Sequence, residues 1–444
     1  MNQGRLEAGA VIPAAGLSSR FGVRSKALAE LDGRSLLRAV VDKCRLVGLS
    51  RIIVVTGHHN ADVSAEAAAL GVATVHNPDY ERGMFSSIKV GVKEMAGTEV
   101  FFVWPVDAAL THVQTLLTLM TAWRKTSTPE SGPSVIVPAF NSFTGHPPLF
   151  SSRCLNDIAA WPGDGGLRGW MGSLMNESSA QALFRGMRPE HSEGPVSFAN
   201  VPDGGVTCDI DTLDDLAAAR QSRGASRPSP EEAWQLLLQH DPGEGKITHS
   251  LLVGLAAFRL ALALRKTGLP TNPDLALLGG LLHDIAHGHK QHDQRGMAIA
   301  RNMGWPEIGR VIGAHNDPPP EVWRAFFDPE PGLGHCSAAL AEACLSVYLA
   351  DKYCLGNRTV ALKARFETSR RHMRDDPDAL AAVNRREQTA LRVEDWFRSR
   401  LGAEPLEVAE RMTGDPREET FRRLGQWKEN RYERSHIPDA AWPH

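Results

Sequence analysis

The apolar residues of this chain change their period once, near Gln221, and that change limits what each side can fold into. Before it, unbroken apolar runs (AGAVIPAAG, RIIVVTGHH, ATVHNP, EVFFVWPVD and PSVIVPAF) alternate with segments of helical spacing such as SLLRAVVDKCRLVG, ADVSAEAAALG and VQTLLTLMTAWRK. A strand that is apolar on both faces belongs inside a sheet covered on both sides. Strand–helix alternation makes that sheet parallel. Ligands of such sheets sit at the carboxyl ends of the strands. The glycine loop after the first run, Asp107 at the end of VFFVWPVD and the turn NSFTGHPPLF are therefore expected on one rim.

After the change, QSRGASRPSP reads as a linker, and Ser229-Pro230-Glu231-Glu232 is a helix N-cap with proline at the first helical position. The remainder of the chain is helical in pattern. At 444 residues the chain is too long for one ordinary core. The expected domains are 1–222, a linker over 223–235, and a helical domain over 236–444 that ends in a charged, Trp-punctuated helical tail. A net charge of −3 gives no reason to expect nucleic acid as a partner. SLLVGLAAFRLALALRK contains Arg259 and is expected to be a core helix that falls short of a membrane span. The N-terminus lacks a charged-then-apolar leader, and the six cysteines form no C-x-x-C pair. A soluble protein of the reducing cytoplasm, with no membrane partner, is the expectation.

The stretch IPAAGLSSRFGVRSK fits neither a Walker A loop nor a dinucleotide fingerprint, because Gly16 and Gly22 lie six apart. Its small residues Ala14, Ala15, Gly16 and Ser18 nevertheless let backbone N–H groups approach phosphates closely. Arg20 and Lys26 add positive charge, as a bidentate fork and a point charge respectively. A plain strand–turn–helix junction with solvated basic residues is the competing reading of that spacing. Asp107 at a strand end is a hard-metal ligand or a helix cap, and Asp209 and Asp211 in CDIDTLDD form a second acidic pair. Asp214 and Asp215 fit the first turn of a helix.

Five ordered segments, PAAGLSSRFG…K, NPDYERGMFSSIKVGV, VWPVDAALTHVQTL, TGHPPLF and DIDTLDDL, resemble the nucleotidyltransferases of molybdenum cofactor biosynthesis, the MobA-like NTP transferases, over roughly residues 8–220. Ala14-Ala15-Gly16 resembles the cytidylyltransferase branch more than the guanylyltransferase branch. The resemblance implies an α/β Rossmann-like fold of the GT-A nucleotidyltransferase type. It also implies transfer of a nucleoside monophosphate from an NTP, with CTP favoured, to a phosphorylated acceptor such as molybdopterin, releasing pyrophosphate. Arg20 and Lys26 then stabilise the departing pyrophosphate, and Mg2+ sits on Asp107 with Asp209 or Asp211. Ser86 and Ser87 lie near the base or acceptor, and Gly145 and His146 near the acceptor. A molybdoenzyme that receives the product is a further implied partner. Ala109, where the family usually has proline, and the additional Arg24 depart from the pattern and leave the acceptor open to a sugar, polyol or choline-type phosphate.

In the second half, LLHDIAHGHKQHD carries His283, His287, His289 and His292, with His249 upstream, and His315 and Asp351 downstream. Imidazoles with carboxylates suit Mn2+, Fe2+, Zn2+, Ni2+ or Mg2+. The order H…HD…D resembles the HD-domain metal-dependent phosphohydrolases, which implies an all-α HD-type domain. It makes His249, His283, Asp284 and Asp351 ligands of a first divalent transition metal. His292 and His315 fall where two-metal members bind a second ion or meet the substrate phosphate. Lys290 is a phosphate contact on this reading, and His287 and His289 stand outside the ligand set. A non-catalytic, nucleotide-sensing HD domain is the alternative.

Overall fold

The structure, a computed structural model, describes residues 6–410 apart from 22–24, 127–133, 190–193, 224–226, 241–242 and 327–336. Gly22, Arg24 and most of the charged tail lie outside the described residues. The chain divides into two compact units between Ala225 and Ser226. The expected linker is shorter than 223–235, because a helix begins at Pro230. Ser229 and Glu232 close a capping box there, and Ala233 is part of the second core. Each reciprocal cap satisfies a backbone donor that a helix start otherwise leaves open.

The first unit runs β1 (Ala8–Pro13), β2 (Glu30–Leu31), β3 (Arg34–Ser35), α1 (Leu36–Leu46), β4 (Arg51–Thr56), α2 (Asn60–Ala69), β5 (Ala73–His76), α3 (Met84–Lys93), β6 (Val100–Val103) and α4 (Val113–Thr126). It continues with β7 (Val135–Phe140), β8 (Phe143–Thr144), β9 (Leu149–Ser151), α5 (Leu155–Ala160), α6 (Gly166–Ser173), α7 (Glu177–Phe184), β10 (Val196–Asn200) and α8 (Leu213–Arg223). The main sheet has the order β10-β7-β9-β6-β1-β4-β5, with β8 on β7. β1 is parallel to β4 and β6, β5 to β4, and β10 to β7. The turn expected over NSFTGHPPLF instead supplies β8 and β9, and β9 runs antiparallel between β6 and β7. A return this short cannot make the helical crossover that a parallel strand needs.

Side chains alternate across the sheet, which explains the unbroken apolar runs. Ala10, Ile12, Val54, Phe102 and Trp104 enter one core, with Leu37, Val40, Leu116 and Leu119 from α1 and α4. Val11, Val55, Phe101, Val103 and Phe150 enter the other, against Ile88, Val92 and Trp170 of α3 and α6. Burying each phenylalanine of β6 contributes about 1.5–3 kcal/mol.

The second unit comprises α9 (Pro230–Gln239), α10 (Glu244–Lys266), α11 (Pro273–Leu282), α12 (His292–Asn302), α13 (Pro306–Ala314), α14 (Pro320–Arg324), α15 (Ala338–Tyr353), the hairpin β11 (Cys354–Leu355) and β12 (Arg358–Thr359), α16 (Leu362–His372), α17 (Pro377–Leu401) and α18 (Pro405–Glu410). That hairpin qualifies the all-α expectation. By length and composition α10 is apolar enough to cross a membrane, with mean hydropathy 1.8 over its most apolar 18 residues, which corrects the expectation that it falls short. Its Leu251, Leu252, Val253 and Leu260 pack in the helical core, and Arg259 donates to Ala409 O at 3.1 Å. A core helix passes the same length test as a spanning one.

Where α10 and α11 meet, glycine faces glycine. A Cβ on Gly280 would lie 2.7 Å from Gly254 Cα, a backbone atom that cannot swing aside. This close crossing sets the distance between His249 on α10 and His283 at the end of α11. Gly280→Ala is expected to cost about 1–3 kcal/mol through overpacking. Gly245→Ala, where a Cβ meets nothing within 4 Å, should leave the melting temperature level or higher. Thermal unfolding of the two variants checks both.

Candidate functional site

The loop after β1 is pinned before it reaches its basic residues. Ala14 N–H donates to Val55 O at 2.9 Å, and Ala15 O accepts from His58 N–H at 3.2 Å. Gly16 and Leu17 are then exposed at the end of the strand. Ser18 adopts a left-handed φ of 53° and accepts Lys26 N–H on its Oγ at 2.8 Å. The loop therefore folds back and carries the Lys26 side chain to the rim.

Lys26 Nζ donates to Asp107 Oδ2 at 2.9 Å and to Asp211 Oδ1 at 2.7 Å. Burial alone would lower this ammonium, but Asp107 and then Asp211 outweigh it and hold it above the usual lysine value. Lys26 thus stands between two of the three carboxylates assigned to magnesium. Arg20 is exposed, its Nη1 4.0 Å from Asp211 Oδ2. Burial raises the Asp209 carboxyl, and the like charges of Asp107 and Asp211 add to it against the pull of His146 and Lys26. That excess of negative charge, on oxygen donors alone, fits a hard divalent cation.

His146 is lowered by burial, with Asp209 and Asp107 acting against it, so it favours the neutral imidazole. A Cβ on Gly145 would come within 2.1 Å of Val206 O, so glycine is what lets this turn lie against that carbonyl. Ser87 is buried, and both expected serines are tied to one asparagine. Asn77 Nδ2 donates to Ser86 Oγ at 2.8 Å and to Ser87 Oγ at 2.9 Å. Sequence reasoning missed Asn77 and also Asp203, which accepts from His112 N–H (2.7 Å), the Thr115 hydroxyl (2.6 Å) and Gly205 N–H (2.9 Å). Their only signal was a polar residue next to a strand end or in a glycine turn.

In the helical unit the expected ligands come from five places: His249 from α10, His283 and Asp284 past the end of α11, His292 from the first position of α12, His315 at the end of α13, and Asp351 from α15. Ligand atoms of His249, His283 and Asp284 lie within 4.8 Å of one another, as do those of Asp284, His292 and His315. Asp284 belongs to both sets. Asp351 Oδ1 joins the first at 3.4 Å from His249 Nε2 and 3.6 Å from His283 Nε2.

The histidines are oriented by the backbone. His283 Nδ1 donates to Gly280 O at 2.7 Å and His315 Nδ1 to Ile312 O at 2.6 Å. Each Nε2 lone pair is thereby turned toward the carboxylates, the arrangement a metal-binding imidazole requires. His283 Nε2 is buried without a hydrogen-bond partner. An unpartnered ring nitrogen of this kind among imidazoles and carboxylates fits a divalent transition metal that would take the place of its proton. His287, placed outside the ligand set, contacts Asp284 Oδ2 at 3.2 Å.

Lys352 was not singled out from sequence. Its buried Nζ lies 2.6 Å from Asp351 Oδ2 and donates to His315 O at 3.1 Å, so one ammonium joins the two ligand sets. Burial would raise Asp351, but Lys352, His249 and His283 hold it well below the carboxylate range. Asp284 is likewise held low by His315 and His283 against burial.

A depressed carboxylate stabilises the fold above its unfolded value, near 3.8, and that contribution fades as pH falls below it. Chelator-stripped protein should therefore lose stability steeply below about pH 4. Lys352→Met, which leaves Asp351 buried and unpaired, should cost about 3–5 kcal/mol at neutral pH. Denaturant unfolding across pH measures both.

Each unit also matches a known family. Residues 10–179 match the MobA-like NTP transferase domain, and residues 247–355 match the HD domain. The chain therefore joins a nucleotidyltransferase domain, homologous to cytidylyltransferases, to an HD domain of the kind typical of phosphohydrolases. The molybdenum cofactor cytidylyltransferase of Escherichia coli is 29% identical over 212 residues, 48% of this chain and 94% of that one. The bifunctional IPC transferase and DIPP synthase of Rubrobacter xylanophilus is 37% identical over 117 residues, 25% of this chain and 26% of that one. Among solved structures, Rv0371c of Mycobacterium tuberculosis is similar at 24% identity and a TM-score of 0.39, covering 49% of this chain and 98% of that one.

Proposed function

We propose that this is a cytoplasmic bifunctional enzyme. Its first unit transfers CMP from CTP to the phosphate of molybdopterin or a chemically similar acceptor, and its helical unit is a metal-dependent phosphohydrolase. The ammonium of Lys26, shared by Asp107 and Asp211 beside a loop that can cradle phosphates, carries the first half. An oxygen of the acceptor phosphate forms a bond to the α-phosphorus of CTP. The bond from that phosphorus to the bridging oxygen breaks, and its electron pair leaves on pyrophosphate. Arg20 and Lys26 stabilise that charge, and Lys26 reaches it by exchanging carboxylate for phosphate. Magnesium on Asp107 with Asp209 or Asp211 would neutralise phosphate oxygens. Positioning and electrostatics suffice, so no side-chain nucleophile is required. The triad Ala14-Ala15-Gly16 and the near-complete span of a cytidylyltransferase relative support cytosine, and a molybdoenzyme is the natural recipient of such a product.

The sharing of Asp284 between two ligand sets carries the second half. His249, His283, Asp284 and Asp351 would hold one ion, and Asp284, His292 and His315 another, with Mn2+, Fe2+, Ni2+ or Zn2+ compatible. Bound ions there supply Lewis acidity and an acidified water. The chain's own part is to aim the imidazoles, hold Asp351 ionised through Lys352 and offer Lys290 to a phosphate.

Protein incubated with Mg2+ and CTP, GTP, ATP or UTP, with and without molybdopterin, is expected to transfer labelled CMP to molybdopterin and release pyrophosphate. Transfer only to a sugar phosphate overturns that acceptor. Lys26→Ala should lower kcat about 10²–10³-fold. Asp284→Ala should abolish phosphate release from nucleotides while CMP transfer persists; unchanged phosphatase activity removes metal hydrolysis from this unit.

A further inference from the structure

The mouth of the helical site carries positive charge that its ligand sets do not use. From Asp284 the chain passes through the buried pair Ile285-Ala286, turns at Gly288 (φ 87°) and Gln291 (φ 56°), and enters α12 at His292. That path leaves His289 and Lys290 exposed. Arg295 follows the ligand His292 by three positions, so the two share a face of α12. Arg295 Nη1 lies 3.4 Å from His289 Nδ1. His240, at the end of α9, is lowered by burial and then by its neighbours Arg295 and His289, so it lines the same rim as a neutral imidazole. Among the described residues, neither Lys290 nor Arg295 has a carboxylate at ion-pair distance. These exposed cations stabilise little of the fold, and the protein as a whole is slightly acidic. Their gathering beside the ligands points to an anion.

The ligand sets are themselves poor in negative charge. Two carboxylates stand among four imidazoles, and Lys352 already neutralises Asp351. Divalent ions in both sets would leave the site electropositive, and the rim adds to that. A cyclic phosphodiester brings a single charge to such a site, whereas a chain of phosphates brings several and spans from the ligands to the rim. Arginine and lysine are the side chains suited to gripping phosphate oxygens.

We propose that the helical unit hydrolyses a phosphoanhydride, with one phosphate at the histidine–aspartate sets and the next held by Lys290, Arg295 and His289. This rests on the hydrolase reading above. The oxygen of water bonds to the phosphorus at the ligand sets, and the bond from that phosphorus to the bridging oxygen breaks. The electron pair stays with the departing phosphate, and the protons of water end on the two products. Pyrophosphate and water thus give two hydrogen phosphates. Two sources offer this chemistry: inorganic pyrophosphate, the leaving product of the first unit, and a nucleoside triphosphate.

The full-length protein loaded with Mn2+ is assayed on pyrophosphate, CTP, cyclic CMP and p-nitrophenyl phosphate. The expected result is a kcat/KM for pyrophosphate or CTP at least about tenfold above the other two. Pyrophosphate leading CTP assigns the first source, and the reverse assigns the second. Arg295→Gln should cut the anhydride-to-monoester selectivity about tenfold and weaken calorimetric binding of imidodiphosphate by a similar factor. Turnover of the monoester or cyclic diester without preference for an anhydride, or unchanged selectivity and binding in Arg295→Gln, overturns the proposal and leaves the hydrolase standing. No turnover of any of these substrates overturns the hydrolase reading and this proposal with it.

Discussion

A carboxylate taken out of water must meet a cation or take up a proton, and both units are arranged around that requirement. Asp107 lies just past the fully buried strand β6 and has little access to solvent. The cation it meets, Lys26, lies 81 positions earlier in the chain, and the same ammonium reaches Asp211, 185 positions later. The fold of the loop between β1 and Lys26, including the left-handed Ser18, follows from bringing that ammonium home. In the helical unit Asp284 and Asp351 place the same demand on histidines from separate helices, two of which, α10 and α11, approach closely where Gly254 meets Gly280.

The two solutions differ in how far the cation can move, and the difference suits different chemistry. A lysine is a point charge on a flexible stem. At the sheet rim it can change one anionic partner for another without disturbing the fold, which suits a reaction in which charge develops on a departing group. The imidazoles of His283 and His315 are fixed by the carbonyls of Gly280 and Ile312. Their donor atoms are preorganised and need no reorganisation when a charge arrives. Lys352 stands between these extremes: it is buried and fixed, so its service is to keep Asp351 ionised.

What could be read from sequence depended on whether a local period carried the information. The two-sided strands were legible because alternation and burial leave unbroken apolar runs, and His283, Asp284 and His292 because they cluster in one short stretch of sequence. Lys26 was visible as a basic residue near the glycine loop but not as the partner of Asp107 and Asp211, since no pattern records a pairing across 81 or 185 positions. Asn77, Asp203 and Lys352 stayed hidden because a single polar residue carries no period, whether its partners are near, as Asp351 is to Lys352, or far, as Thr115 is from Asp203. The antiparallel β9 was settled by tertiary packing, which local apolarity does not report.

Thermodynamics connects the two proposed chemistries. Joining a nucleotide to an acceptor phosphate exchanges one phosphoanhydride for another, so the proposed transfer lies near balance and released pyrophosphate can reverse it. Hydrolysis of pyrophosphate exchanges an anhydride for none. A hydrolase of that specificity on the same chain would remove the product and draw the transfer forward, whatever the acceptor. A hydrolase that instead consumed the triphosphate would oppose its neighbour, so the preference between these two anhydrides decides whether the units cooperate or regulate one another.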